Sequence, residues 1–234
     1  MQPGDALYDG FAESFAREAA VSAYNAHYDR PTVLGLLGDV NGLDILDAGC
    51  GPGLYLSELA ARGGRPVGID QSADMVRLAG ARLGSLAEVR QHDLAEPLTW
   101  ADDESFDIVL LTLVLHYLPD RVSTLRELAR VLRPSGQIVV STSHPTADWL
   151  ARGGSYFASG FIEERWSNGM THRYWHQPLH AWLDEFASAG LALDRLVEHQ
   201  PVPSMAHRHP AEHEKLTRQP GFMAVRLRKQ RPGI

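Results

Sequence analysis

The chain has 234 residues, 44% of them hydrophobic, which is enough apolar surface for a substantial core. Its 22 basic against 29 acidic side chains give a net charge of −7, which argues against a binder of phosphate backbones and so against a nucleic-acid partner. The single cysteine, Cys50, excludes an intramolecular disulfide and a cysteine zinc cage, and no stretch approaches 18 uninterrupted apolar residues, so a cytoplasmic protein without membrane association is expected.

From the N-terminus, Leu7, Phe11, Phe15 and Ala19 recur at helical spacing, predicting an amphipathic helix over residues 6–28, broken near Val21. Pro31 can open a second short helix reaching Leu37. "LDILDAG" reads as a strand, Gly53 to Arg62 as a helix closed by Gly63 and Gly64, and "RPVGID" as the next strand. Ser72 is placed to cap a helix running to Arg82, and "AEVRQHD" forms a third strand. "SFDIVLLTLVL" is apolar on both faces, as a central parallel strand should be. A helix from Asp120 to Leu132, stopped by Pro134, leads into a fifth strand, "GQIVVSTS". Residues 144–170 show no clean period. A helix in "QPLHAWLDEFASAG" ends at Gly190, and "LALDRLVEH" and "GFMAVRLRK" form a closing strand pair around a polar, Pro- and His-rich loop.

This strict alternation predicts an α/β fold, a Rossmann-like seven-stranded, mostly parallel sheet with helices on both faces and an antiparallel last strand pair. One domain over 1–234 is expected, with an N-terminal helical lid at about 5–38 and a substrate-side insertion at about 144–175.

The stretch "LDILDAGCGPG" places Gly49, Gly51 and Gly53 directly after a strand and before a helix. Glycine there permits positive φ and removes Cβ atoms that would block a ligand at a helix N-terminus. Asp70, ending the second strand, is placed to accept hydrogen bonds from a ribose. A dinucleotide site favours G-x-G-x-x-G, but Leu54 stands where the third glycine belongs. Asp47 before the turn would oppose a pyrophosphate and suit a ligand with a positive amino group, which points to S-adenosylmethionine.

These residues resemble the class I S-adenosylmethionine-dependent methyltransferases, of the small-molecule type. "LDAGCGPG", "VGIDQSADMV", "RQHDLAEPL", "FDIVLLTLVLHYLPD" and "RVLRPSGQIVVST" match five family motifs in register. The resemblance implies that Asp47, Gly49, Cys50, Gly51 and Gly53 surround the methionine end of the cofactor. Asp70 would hold the ribose, with Gln71 and Met75 beside the adenine. Asp93 would bind the adenine amino group, flanked by His92 and Leu94. Thr112 would face the methionine moiety, His116 and Tyr117 the mouth of the site, and Tyr8 would close over the cofactor. Cys50 itself reads as a small buried residue, not a nucleophile.

The implied activity is methyl transfer to an O or N atom of a small molecule, with secondary metabolism as one setting. A non-catalytic regulatory module that binds the cofactor is the alternative, and a nucleotide-dependent oxidoreductase a weaker one. An O–H or N–H acceptor must lose a proton, a task suited to histidine. His144, after the fifth strand, is the first candidate base and His176, in "YWHQPL", the second. "YWHQPL" resembles a "Y-H-R-P-L" element of small-molecule members, with Gln177 replacing the arginine. No metal is expected, the string "HRHPAEH" reading as a solvated loop. The expected oligomeric state is monomer or homodimer, with an aromatic-rich pocket wall between 149 and 175.

Overall fold

The computed structural model of the protein describes residues 11–165 and 171–230. Within the described residues the expected N-terminal helix breaks at Val21, where the sequence places a break. Helix α1 covers Ala12–Val21, Ser22 turns to extended backbone, and a π-helical turn at Asn25–Asp29 runs into α2, Arg30–Leu37. Single π turns concentrate at functional sites, and this one ends on the buried Asp29. Tyr8 lies outside the described residues.

The alternating core follows. Strand β1 is Asp44–Ala48, α3 Leu54–Ala61, β2 Arg65–Asp70, α4 Ala73–Leu83, β3 Glu88–Gln91 and β4 Phe106–Thr112. Helix α5, Arg121–Val131, leads to β5, Leu132–Ser143. The predicted cap at Ser72 forms, and Asp120 caps α5 as well. Ser72 accepts from the Met75 N–H and Asp120 from the Ser123 N–H, each worth about 1 kcal/mol. β4 ends three residues before its apolar run does, because Leu113 adopts φ 56 and the chain turns into a 3-10 turn at Leu115–Tyr117. Pro134, expected outside the fifth strand, lies within β5, where the pairing with β4 slips between Phe106 and Ile108. A bulge tolerates proline's missing donor.

The seven strands are ordered β3-β2-β1-β4-β5-β9-β8, where β8 is Leu191–Glu198 and β9 Phe222–Lys229. β1 to β5 pair in parallel, and β9 is antiparallel to both β5 and β8. The strand order reverses between β1 and β4, so a crevice opens at their carboxyl ends, the usual ligand position in open α/β sheets. One face of the sheet packs Val33, Leu34 and Leu37 of α2 on Ile45, Leu110 and Val139. The other face packs Leu125 and Leu128 of α5, with Trp182 and Phe186, on Leu46, Val109 and Val140.

Two segments differ from expectation. The aperiodic stretch after Ser143 contains α6, Pro145–Arg152, and a separate two-stranded hairpin, β6 Gly160–Arg165 and β7 Thr171–His176, before α7 at Leu179–Ser188. The polar loop between β8 and β9 holds two short helices, α8 Met205–Arg208 and α9 Pro210–Arg218. They fold because Met205 and Leu216 bury against Ala23 and Tyr28, an apolar contact that the polar composition hides. Among the described residues no helix is long and apolar enough to cross a membrane.

Candidate cofactor and acceptor site

The turn after β1 carries three glycines at positive φ, Gly49 at 84°, Gly51 at 53° and Gly53 at 78°. They serve different ends. A Cβ on Gly49 would run into Val114 Cγ2, and one on Gly53 would press on Ala79 and Leu83 of α4 at 3.1 Å. These two glycines let the protein close on itself. Only at Gly51 would a Cβ meet nothing within 4 Å, so that backbone is the one a ligand can approach. Val114 reaches Gly49 because Leu113 accepts a left-handed conformation, which costs about 1–2 kcal/mol and joins the ends of β1 and β4.

Asp70 organises this turn. One carboxylate oxygen accepts the Gly51 N–H at 2.9 Å and the other the Ser72 N–H at 2.9 Å. Asp47, at the base of the turn, is fully buried, and neither of its carboxylate oxygens has a hydrogen-bond partner among the described residues. Burial, with the charge of Asp70 added, raises its pKa to about 7. An unpaired buried carboxylate costs several kcal/mol unless something fills the space before it. A cationic amino group of a ligand is that kind of partner, so the residues present fit the methionine end of S-adenosylmethionine.

Other expected cofactor residues take mixed positions. Cys50 packs its side chain among Leu56, Ala79 and Leu83, and burial drives its thiol pKa upward. Its N–H donates to Ile69 and its carbonyl accepts from Gly53. The Cys50 side chain therefore faces the core, as a small buried residue, and only its backbone lies on the turn. Gln71 is exposed, Met75 is buried on the first turn of α4, and the His92 N–H donates to the Asp70 carbonyl at 2.9 Å. Asp93 is half-buried and accepts the Ala95 N–H, while Leu94 leans on the core. Thr112 ends β4, buried, facing β5 at Ser141.

Rings cluster where the acceptor side is expected. His116 Nδ1 lies 2.9 Å from Thr142 Oγ1, its ring 4.2 Å from that of Tyr117, and the Tyr117 hydroxyl is 3.2 Å from His172 Nδ1. Tyr174 of β7 meets His116 edge-on at 5.8 Å and donates to Asp148 at 3.0 Å. Burial lowers His116 to about 3, with His172 adding to the effect, and lowers His172 to about 4. Both rings are neutral at physiological pH. Asp148, raised chiefly by burial, feels the nearby His176.

His144 is held as a helix cap. Its Nδ1 accepts the Thr146 N–H at 3.1 Å as the N-cap of α6, and its Nε2 faces Glu198 Oε1 at 3.2 Å. A neutral imidazole has one lone pair, and here it is spent on the cap, so the geometry opposes a base at His144. His176 ends β7, half-buried and paired with Gly160, and among the described residues no hydrogen bond joins it to His144. Gln177 is buried, with its carbonyl oxygen accepting from Trp175 Nε1 and its amide nitrogen lacking a partner among the described residues.

The sequence reading passed over Asp29, Tyr55 and His199. Asp29 accepts from the Tyr55 hydroxyl at 2.6 Å and lies 3.0 Å from His199 Nε2. The available signal was topological. β8 runs parallel to β5, so the residue after β8 sits at the same carboxyl edge as the residue after β5.

A family model described as a methyltransferase domain matches residues 46–140, from β1 to within β5. The chain is 30% identical over 193 residues to the demethylmenaquinone methyltransferase of Clavibacter sepedonicus, covering 79% of this chain and 78% of that protein. It belongs to the class I S-adenosylmethionine-dependent methyltransferases. As a methyltransferase of this class it is also 36% identical over 110 residues to the ubiquinone biosynthesis O-methyltransferase of Alkalilimnicola ehrlichii, 45% of this chain and 44% of that one. An S-adenosylmethionine-dependent methyltransferase from Mesorhizobium loti superposes with a TM-score of 0.74 at 27% identity, covering 85% of this chain and 96% of that structure. Over the first of the curated relatives the matched part spans about half of their own length. The family's cofactor is S-adenosylmethionine, which the glycine turn and Asp47 fit.

Proposed function

We propose that the protein transfers the methyl group of S-adenosylmethionine to an O or N atom of a small molecule. The observation that carries this reading is the buried, unpaired Asp47 carboxylate beneath the open backbone of Gly51, with Asp70 fixed opposite by the same turn. When bound, S-adenosylmethionine supplies a methyl carbon already activated on a sulfonium. The chain's task is then to bind, align and exclude water, and alignment alone can contribute about 7–11 kcal/mol.

In this reading Asp47 takes the amino group, Asp70 the ribose, and the loop of His92, Asp93 and Leu94 the adenine. The rings of His116, Tyr117 and Tyr174 form a neutral, largely aromatic wall suited to a flat acceptor. His176 orients that acceptor beside Asp148. The relatives named for demethylmenaquinone and ubiquinone biosynthesis direct an acceptor screen first to quinone-type aromatics. The segment at about 5–38 and the insertion at about 144–175 act as lids of a single domain over 1–234. Arg77 of α4 holds Glu13 of α1 at 3.4 Å, and the Tyr55–Asp29 bond ties the π turn to α3.

The test is calorimetry with S-adenosylhomocysteine, then turnover on a panel of phenols, hydroxyquinones and amines. Tight binding with transfer supports the reading. Binding without transfer on any acceptor favours a regulatory module, and binding of a nicotinamide cofactor in its place would favour an oxidoreductase. Hydrogen exchange of residues 11–38 should slow on binding if they form a lid.

A further inference from the structure

Three buried polar groups without partners among the described residues share one face and one edge of the sheet. Ile108 and Leu110 of β4 face α2, so alternation places Thr112 there too. The same parity puts Asp47 with Ile45, Ser141 with Val139, and His199 with Val197. Asp47 Oδ1 and Oδ2, Ser141 Oγ and His199 Nδ1 are all buried and unpaired. Buried polar atoms rarely stay unpaired, so several in one strip mark a place that a polar ligand fills.

His199 differs from the other histidines of the site. Its side chain is fully buried, and its Nε2 lies 3.0 Å from Asp29 Oδ1. Asp29 accepts from Tyr55 on its other oxygen, which requires the carboxylate as acceptor. With Asp29 ionised and the imidazole neutral, His199 carries its proton on Nε2 and leaves the Nδ1 lone pair free. The backbone fixes the ring as well, for the His199 N–H donates to the Phe222 carbonyl at 3.2 Å, and Phe222 pairs with Ser143 at the end of β5. Tyr55 is the second residue of α3, just past the glycine turn. The chain Tyr55–Asp29–His199 thus links α3, just past the cofactor turn, to the residue that follows β8.

We propose that His199, oriented by Asp29, accepts the proton that the methyl acceptor loses on transfer, Tyr55 linking the pair to the cofactor turn. The inference rests on the methyl-transfer reading with an O–H or N–H acceptor. The acceptor's oxygen or nitrogen gives its lone pair to the methyl carbon, and the carbon–sulfur bond breaks with its pair left on sulfur. The proton passes to Nδ1. The positive charge lost from sulfur reappears on the imidazolium, where Asp29 stabilises it. Asp29 and Tyr55 are positioning residues. The partners already held by His144 leave this role open to His199.

Two measurements test it. Long-range proton–nitrogen NMR of the wild-type protein should show His199 as the Nε2–H tautomer, with Nδ1 unprotonated at neutral pH. A proton on Nδ1 overturns the proposal, with or without a known acceptor. The second is kinetic. His199→Gln keeps an N–H near Nε2 for Asp29 but loses the acceptor at Nδ1. It should retain S-adenosylhomocysteine affinity and lose about 10²–10⁴-fold in kcat. Asp29→Asn should lose roughly tenfold or more in kcat with KM for S-adenosylmethionine unchanged. If His199→Gln keeps wild-type kcat within threefold, the proposal fails while methyl transfer stands. If the wild type binds no S-adenosylhomocysteine, the underlying reading fails.

Discussion

The backbone N–H of Gly51 donates to the Asp70 carboxylate at 2.9 Å, joining the glycine turn after β1 to the acid that ends β2. One residue thereby shapes the turn and, in the proposed reading, also holds the ribose. Its other oxygen starts α4 by taking the Ser72 N–H. Asp70→Ala should lower S-adenosylhomocysteine affinity by roughly 1.5–3 kcal/mol for each charged hydrogen bond removed. Calorimetry on the folded variant checks this, and unchanged affinity would remove Asp70 from the site.

Gly49 and Gly51 should respond differently to alanine. At Gly49 the new methyl meets Val114 in addition to the strain of φ 84°, so Gly49→Ala should cost about 2–4 kcal/mol of stability. Val114→Ala should relieve the clash but leave the backbone strain. At Gly51 the methyl enters open space at φ 53°. Gly51→Ala should cost only about 1–2 kcal/mol of stability yet weaken cofactor binding more than its stability loss explains. Denaturation and calorimetry on the same three proteins separate the two effects.

Asp47 links function to pH-dependent stability. Its folded pKa of about 7 stands above the ordinary carboxylate value of 3.8. Between these values the folded protein holds a proton that the unfolded chain has released. Stability of the ligand-free protein therefore falls as pH rises from about 4 to about 7, by about 4 kcal/mol in all, and levels off above. Asp47→Asn carries no such charge. At pH 8 it should be more stable than the wild type by about 1–3 kcal/mol, allowing for its own unpaired amide, and the advantage should vanish at pH 5. It should also bind S-adenosylhomocysteine more weakly. Urea denaturation at the two pH values is the measurement, and an equal difference at both would refute the burial argument.

Periodicity made the parallel core legible, because each strand of "LDILDAG" or "FDIVLLT" type is apolar on both faces and each helix on one. The β6–β7 hairpin escaped this reading because its pairing is cross-strand. Arg173 lies over the Phe161 ring at 4.0 Å and near Glu163, contacts that have no local pattern. The cofactor turn was legible because all its parts lie within 30 residues. Asp29 and His199 are 170 residues apart, and nothing local to "HYDRP" or "LVEHQP" indicates that the fold brings them together. The place of His144 is ambiguous in sequence for a related reason. A histidine just after a strand and just before "PTADWL" sits equally well at a ligand edge and at a helix N-cap, and only the Thr146 N–H decides between them.

That decision can be tested by separating capping from proton transfer at His144. Asparagine is a good N-cap and alanine a poor one. If the side chain caps α6, His144→Ala should lose about 1 kcal/mol of stability and His144→Asn much less. Neither should change kcat by more than a few-fold, because the lone pair that would take a proton already accepts from Thr146. The Glu198 contact adds little to this balance, since that carboxylate is mostly exposed. Thermal denaturation with kinetics on one acceptor measures both quantities. A fall of about 10²-fold or more in kcat for a stable His144→Asn protein would return the base to His144, and would require the α6 cap to open when the acceptor binds.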